Sequence, residues 1–486
     1  MTTFAREMAK ERTQQLLQLI RDGEPITTRQ QLRLIFRLSV PAMLAQLSYI
    51  LMTYIDAAMV GHLGDSAAAS VGLVATSTWL FGGMGVGMTA GFYVQVAQFI
   101  GAKNFAAARS VLRQSLPSIL LLGIFISSIA VAISGVLPEW LGGTDEINVE
   151  ASRYFMVFGL TIPFQLLNFL ASGMLRSSGN MKIPSVLNIV SCLLDVLFNA
   201  VLIFPSRSIN LFGFSVYMPG FDLGVVGAAL GTMLAIVVSL VCMMYFLLFR
   251  SSELCLRDHA GSFVPTRNVV KAAMKIGLPI SFDRLVMSSA QVVSTIIVAP
   301  LGTIAIAANS FAVTAESMCY MPGYGMGEAA TTLVGQSVGA RRRKLVWSLA
   351  KLTTFSGVAI MTLMGILMFI FAPSVMAFMT PSADIQSLGA EVMRIEAFAE
   401  PLYAASIVIY YAFVGAGKTI VPALMNFGSI WLVRLPLAAL LAPRYGLHGV
   451  WFAMCLELCF RGIIFIIRML RKRWLPKCAN LGSASL

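Results

Sequence analysis

PAMLAQLSYILMTYIDAAMVGHLG, from Pro41 to Gly64, is an apolar stretch that carries a single carboxylate, Asp56, late in its length. At about 1.5 Å of rise per residue it is long enough to cross the hydrocarbon layer of a bilayer as a helix. An ionisable side chain at the middle of such a span costs about 2.5–3.5 kcal/mol on insertion, which makes Asp56 a functional candidate by default. The stretch also recurs. At an offset of 238 residues, Pro41, Leu63, Gly64, Ala67 and Ala69 become Pro279, Leu301, Gly302, Ala305 and Ala307, whereas Asp56 becomes Ser294.

The rest of the chain agrees with a membrane setting. Of its 486 residues 58% are hydrophobic and 12% charged, and its mean hydropathy is +0.81; a soluble globule is about a quarter charged. Apolar runs of spanning length fall at approximately 35–60, 71–100, 114–137, 150–175, 183–204, 224–249, 272–299, 305–338, 350–378, 388–414, 421–441 and 447–470. The expected fold class is therefore an all-α membrane protein with twelve transmembrane helices. Its expected parts are an arm (1–34), a first six-helix bundle (35–249), a linker (250–270), a second six-helix bundle (271–470) and a tail (471–486).

Basic residues set the expected orientation. Lys and Arg concentrate in the arm, in alternate loops and in the tail, while the opposite side holds only Arg153, Arg207, Arg394 and Arg444. Both termini are expected in the cytoplasm. The net charge of +13 follows from this bias and requires no nucleic-acid partner. The run Arg341-Arg342-Arg343-Lys344 reads as a cytoplasmic anchor. Phe4 to Ile20 is weakly amphipathic, which suits a helix lying on the cytoplasmic face. The first 34 residues are polar and charged and show no cleavable signal peptide. The seven cysteines (Cys192, Cys242, Cys255, Cys319, Cys455, Cys459, Cys478) have no metal-like spacing, and Cys455 and Cys459, one turn apart, read as small apolar packing.

The offset of 238 persists: Gly85, Gly87, Met88, Gln98, Gly101 and Ala102 match Gly323, Gly325, Met326, Gln336, Gly339 and Ala340. So do Pro163, Gly179, Pro184 and Asn188 with Pro401, Gly417, Pro422 and Asn426. The sixth helix returns at 222 instead (Gly224 and Gly227 to Gly446 and Gly449), so the first half carries a longer loop near Pro205–Asp222. An even number of helices separates equivalent positions, so the repeats are parallel, an arrangement used by transporters that rock two bundles around a central site. Pro41 and Pro279 are hinge candidates or first-turn prolines.

Where the halves differ is more informative than where they agree. Asp56, Asp195, Asn199 and Thr232 correspond to Ser294, Val433, Leu437 and Met454. Asp195 and Asn199 share a helix face. Rise per residue puts Asp56 about 28 Å beyond Arg37, Asn199 about 25 Å beyond Lys182 and Thr232 about 27 Å from Arg250, with Asp195 about 20 Å in. Two carboxylates, an amide and a hydroxyl thus gather at similar height. They suit either a hard monovalent cation held by oxygen ligands or a proton shared between crowded acids. A polar cluster that only joins helices has the same composition.

The second half holds Asp283, Arg284, Glu316, Glu328 and Arg434, and the pair Glu457 and Arg461, which at i and i+4 reads as an ion pair. Asp283, Arg284, Glu316 and Arg434 either line a substrate cavity or neutralise one another. Met318, Tyr320, Met321, Tyr324 and Met326 offer an adaptable apolar wall or an ordinary core.

Taken together, these segments resemble the multidrug and toxic compound extrusion (MATE) family of secondary transporters across roughly residues 30–470. The marks are VGHLG and APLG after helices 1 and 7, VAQFIGAKN and LVGQSVGAR after helices 2 and 8, and RSSGNMKIP and VGAGKTIVP before helices 5 and 11. The resemblance implies two six-helix bundles around a V-shaped cleft. It also implies an antiporter, not an enzyme, that exports small organic cations or amphipathic drugs by alternating access in exchange for inward Na+ or H+. No cofactor or resident metal beyond Na+ is expected, and a monomer in contact with lipid is. In one branch the ion site matches Asp56, Asp195, Asn199 and Thr232, although that branch has Asn first and Asp four residues later, the reverse of the order here. Acidic positions of another branch fall on Met287 and Ala405. The alternative reading is a flippase of lipid-linked sugar precursors, which calls for more cationic groups in the cleft than Arg284, Arg434 and Arg461 provide.

Overall fold

The computed structural model describes residues 13–211, 214–257 and 261–476. Residues 4–12 of the amphipathic arm and Cys478 of the tail lie outside them. Residues 13–22 are helical (α1). There follow α2 (Thr28–Gly61), α3 (Asp65–Gly101), α4 (Phe105–Ile133), the single turn α5 (Leu137–Trp140), α6 (Asp145–Ser177) and α7 (Lys182–Leu202). A hairpin of β1 (Pro205–Leu211) and β2 (Phe214–Phe221) leads into α8 (Gly224–Phe249), α9 (Arg267–Val298), α10 (Thr303–Gly339) and α11 (Arg343–Met379). The chain closes with α12 (Ala383–Ala397), α13 (Glu400–Gly415), α14 (Ile420–Ser429) and α15 (Leu435–Leu470).

The fold is all-α and multi-spanning. Among the described residues nine helices are long and apolar enough to cross a membrane, or ten if α12 and α13, bent by 59°, form one span. Helix starts follow local chemistry. Thr27 caps α2 in a reciprocal box with Gln30, and Asn104 Oδ1 accepts from the Ala107 amide at the start of α4, each satisfying backbone donors the first turn leaves open.

Three expectations are corrected. Pro41 and Pro279 lie in the interiors of α2 and α9, not in first turns, so each removes a backbone hydrogen bond mid-helix. The expected loop at 205–222 is an antiparallel hairpin. The expected continuous span at 388–414 is broken at Phe398 and Ala399. In addition, the two runs at 421–441 and 447–470 form one stretch, Ile420–Leu470, with a five-residue π turn at Ile430–Arg434 and non-helical backbone at Gly446. Gly446 has φ 58°, and its counterpart Gly224 has φ 53°, a left-handed conformation that glycine adopts without steric cost.

The two halves meet through reciprocal contacts. Gly87 of α3 lies against Ser281 of α9, and its equivalent Gly325 of α10 lies against Met43 of α2, the equivalent of Ser281. Gly101 abuts the Gln336 backbone, and Gly339 abuts that of Gln98. A β-carbon at any of these would overlap main chain, so glycine permits the approach. Gln98 Nε2 donates to the Gly415 carbonyl at 3.1 Å, and Gln336 Nε2 to that of Ser177 at 2.8 Å. Farther from the termini, Tyr54 of α2 donates to the Thr314 carbonyl of α10 at 2.5 Å. Each half also has its own apolar core, around Phe155, Leu166 and Met174 in the first and Met361, Trp451 and Leu458 in the second.

Candidate functional site

Asp56 on α2, Asp195 and Asn199 on α7 and Thr232 on α8 converge. Asn199 Nδ2 donates to Asp56 Oδ1 at 2.9 Å and to Asp195 Oδ2 at 3.4 Å. Asp195 also lies beside Asp56 and Thr232, and Thr232 Oγ1 donates to the Ala228 carbonyl at 3.2 Å. The one-turn spacing of Asp195 and Asn199 aims both at α2. Asp195 and Asn199 are each 1% exposed.

Two acceptors in this cluster, Asp195 Oδ1 and Asn199 Oδ1, are buried without a protein partner. Leaving a buried acceptor unpaired costs about 1–3 kcal/mol, and more for a charged one. Two carboxylates joined by one amide are thus incompletely neutralised by the protein itself. The donor set of carboxylate, amide and hydroxyl oxygens fits a small hard monovalent cation or a shared proton. Among the described residues no group of three or more His, Cys, Asp or Glu is arranged to hold a metal ion. Its floor is Gly231, where a β-carbon would fall on Asn199 Oδ1.

The second-half residues divide. Asp283 (5% exposed) accepts from Asn426 Nδ2 at 2.9 Å. This pair joins α9 to α14 as Asp56 and Asn199 join α2 to α7, about three turns closer to the termini in the repeat frame. Arg284 Nη2 donates to the Tyr411 hydroxyl at 3.4 Å and its guanidinium lies 6.0 Å from the Tyr324 ring centre. Glu316, away from these, lies close enough to Glu396 for the two carboxyl groups to feel one another electrostatically. Arg434 contacts the Met454 sulfur. Asp283 and Arg284 thus belong to one cluster, and Glu316 to another. Glu457 and Arg461 form the expected ion pair at 3.0 Å, with Ser429 donating to the same carboxylate at 2.5 Å.

Sequence reasoning passed over two sets of residues. Glu396 and Glu400 flank the break between α12 and α13, both 0% exposed, and all four of their carboxylate oxygens lack protein partners. Two glutamates four apart inside a spanning run were the available signal. The second is Arg176 of α6, the partner of the already noted Glu328 of α10, which also accepts from Gln46 Nε2 at 3.1 Å. That ion pair crosses between the halves, and no spacing rule connects its members.

Comparison with known proteins agrees with this architecture. The sequence model of the MatE family matches residues 41–201 and 279–440, two segments whose starts differ by the same 238 residues as the repeat. The probable multidrug resistance protein NorM of Thermotoga maritima is 26% identical over 444 residues, covering 90% of this chain and 92% of its own. The uncharacterized transporter YisQ of Bacillus subtilis is 24% identical over 446 residues, covering 91% and 95%. Among solved structures, an outward-facing multidrug resistance MATE family transporter of the MOP superfamily has a TM-score of 0.82 at 23% identity, over 94% of this chain and 98% of that one. A MOP superfamily transporter from Pyrococcus furiosus gives 0.82 at 22% identity, over 94% and 97%. With both repeats matched and the whole membrane domain superposable, this chain belongs to the MatE family, the multidrug and toxic compound extrusion transporters, and is a secondary active transporter and not an enzyme.

Proposed function

We propose that Asp56, Asp195, Asn199 and Thr232 form the site of the coupling cation, Na+ or H+, in an antiporter that exports small organic cations or amphipathic compounds. The observation that carries this reading is the pair of orphaned buried oxygens, Asp195 Oδ1 and Asn199 Oδ1, beside a second carboxylate. A cation entering there relieves the repulsion between Asp56 and Asp195 and satisfies acceptors that the protein leaves open. A proton does the same by joining the two carboxylates.

Binding drives transport only if the cation has different affinities for the two access states. The cluster draws on three helices, of which α2 also touches the second half through Gln46 and Tyr54. A change in how Asp56 is held therefore has a direct physical route to the other repeat. Pro41 and Pro279, interior prolines of equivalent helices, are the proposed hinges. Asp283, Arg284, Glu316 and Arg434 are proposed to give the second half its polar wall toward substrate, beside Tyr324 and Tyr411.

The same reading includes twelve spans in two six-helix bundles. To the nine long apolar helices it adds the bent pair α12–α13, adds α10, whose polar residues lower its hydropathy, and divides Ile420–Leu470 at Gly446. The basic loops support cytoplasmic termini in an inner membrane. The protein is proposed to work as a monomer. The flippase alternative is weaker because interior arginines are engaged: Arg176 with Glu328, Arg461 with Glu457 and Arg284 with Tyr411.

Everted vesicles given an imposed Na+ or proton gradient test the proposal. Wild type should accumulate a fluorescent organic cation, and Asp56→Asn should not, while remaining folded. Undiminished transport by that variant would falsify the site assignment.

A further inference from the structure

The short helix α1 lies across the junction of the two repeats at the end of the molecule that bears the termini. Leu17 and Ile20 are 0% exposed. They pack in one cluster with Leu34, Ile35 and Met181 from the first half and Met326, Leu333 and Leu345 from the second. Leu17 also fills the space above Gly179, whose φ of +90° and missing side chain leave room for it.

Arg21 converts this packing into a three-way tie. Its Nη1 donates to Glu253 Oε1 in the linker at 2.9 Å, its Nη2 to the Ser178 carbonyl of the first half at 3.3 Å, and its Nε to Gln336 Oε1 of the second half at 3.4 Å. From the second half Arg342 Nη1 reaches back to the carbonyls of Leu19 and Ile20, at 3.0 and 3.5 Å, near the carboxyl end of α1. Asp22 meets Lys103 at 2.5 Å. A guanidinium is a rigid planar fork. It cannot keep Ser178 and Gln336 if the segments carrying them move apart.

We propose that α1 is a conformational latch. It holds the two repeats together at the terminus-bearing end, and that end opens only after Arg21 and Arg342 release their partners. This inference rests on the alternating-access reading given above, because only a transporter that must open at this end has use for a latch there. It assigns α1 a share in the balance between access states, distinct from the cation cluster near the far end of α2 and α7.

Hydrogen exchange on the full-length protein in nanodiscs tests it. The reporters are residues 98–102 and 413–418, which contain the Gln98–Gly415 contact between the repeats, a contact to which Arg21 makes no bond. Releasing the latch in Arg21→Ala or Arg342→Ala should speed exchange at these reporters by about tenfold, as expected when a closed state loses population to an open one. Arg21→Lys should restore part of the protection. Acceleration confined to residues 13–23, with the reporters at wild-type rates, overturns the proposal and makes α1 a passive cover. If the alanine variants do not fold, Arg21→Gln and Arg342→Gln are read in the same way. The exchange readout of the arginine variants involves no transport assay, so a failed Asp56→Asn transport result and a failed latch result are separate outcomes.

Discussion

Gln98 and Gln336 do the same thing in opposite directions: each sends its side-chain amide across the junction to a main-chain carbonyl of the other repeat, Gly415 and Ser177 respectively. Those acceptors are themselves separated by the repeat offset. Parallel repeats facing one another across an axis make such swapped contacts in pairs, as an isologous dimer does. One Gln–carbonyl bond seals each side of the terminus-bearing end.

These paired bonds predict unequal effects of equal mutations. Gln98→Ala removes one hydrogen bond and should lower stability by about 1 kcal/mol. Gln336→Ala removes the equivalent bond and also the acceptor used by Arg21, and should cost roughly twice as much. Chemical denaturation in detergent measures both, and equal losses would show that the Arg21 contact contributes nothing.

The proposed cation site predicts a ligand-dependent melting temperature. A cation that binds only the folded state stabilises it by about 2.7 kcal/mol at a hundred times its dissociation constant. Wild type should melt higher with increasing concentration of the coupling ion. Asp195→Asn should lose that dependence while its ion-free melting temperature stays the same or rises, because Asp195 Oδ1 has no protein partner to lose, an amide oxygen still accepts from Asn199, and the repulsion with Asp56 is removed. An ion-dependent shift that survives in the variant counts against the cluster.

Gly231 predicts a steric effect transmitted through an amide. A β-carbon there would collide with Asn199 Oδ1, so Gly231→Ala must displace the side chain that bridges the two carboxylates. Overpacking of this kind costs about 1–3 kcal/mol. The cation response should weaken more than stability falls, with apparent ion affinity reduced at least about tenfold, equivalent to about 1.4 kcal/mol. Unaltered affinity in a folded Gly231→Ala protein means that Asn199 does not set the geometry of the site.

The buried pair Glu457 and Arg461 predicts a rescue. Both side chains are almost completely enclosed. Glu457→Leu should destabilise by about 3–5 kcal/mol because it strands the guanidinium, whereas Glu457→Leu combined with Arg461→Met should recover most of the loss. A double variant as unstable as the single would mean that the pair is needed for more than mutual neutralisation.

The duplication was legible because the repeats keep one offset without gaps until the sixth helix, and the convergence of Asp56, Asp195 and Asn199 because broken symmetry singled out residues that the structure brings together. Other features had no local code. Pro163 and Pro401 are equivalent, yet α6 runs continuously through Pro163 while the chain breaks just before Pro401. A proline permits a bend, and its surroundings decide whether the bend occurs. Arg176 and Glu328 lie in different repeats, so their ion pair depends on how the halves dock. The hairpin was not legible because Gly, Pro and Ser in its segment signal turns, while its strands are fixed by pairing with each other across the segment.

That hairpin acts as a splint. Where it joins the helices, the amides of Asp222, Leu223 and Gly224 bond the carbonyls of Phe204, Leu202 and Ile203, and Gly227 presses against Leu202, so the outgoing end of α7 and the incoming end of α8 are clamped as one rigid bracket. Asp195, Asn199 and Thr232 all stand on that bracket, and Asp56 stands outside it. If the proposed ion binds there, rearrangement around it is left to α2, and a graft that loosened the hairpin would let the bracket yield and dissipate the motion before it reached the opposite repeat.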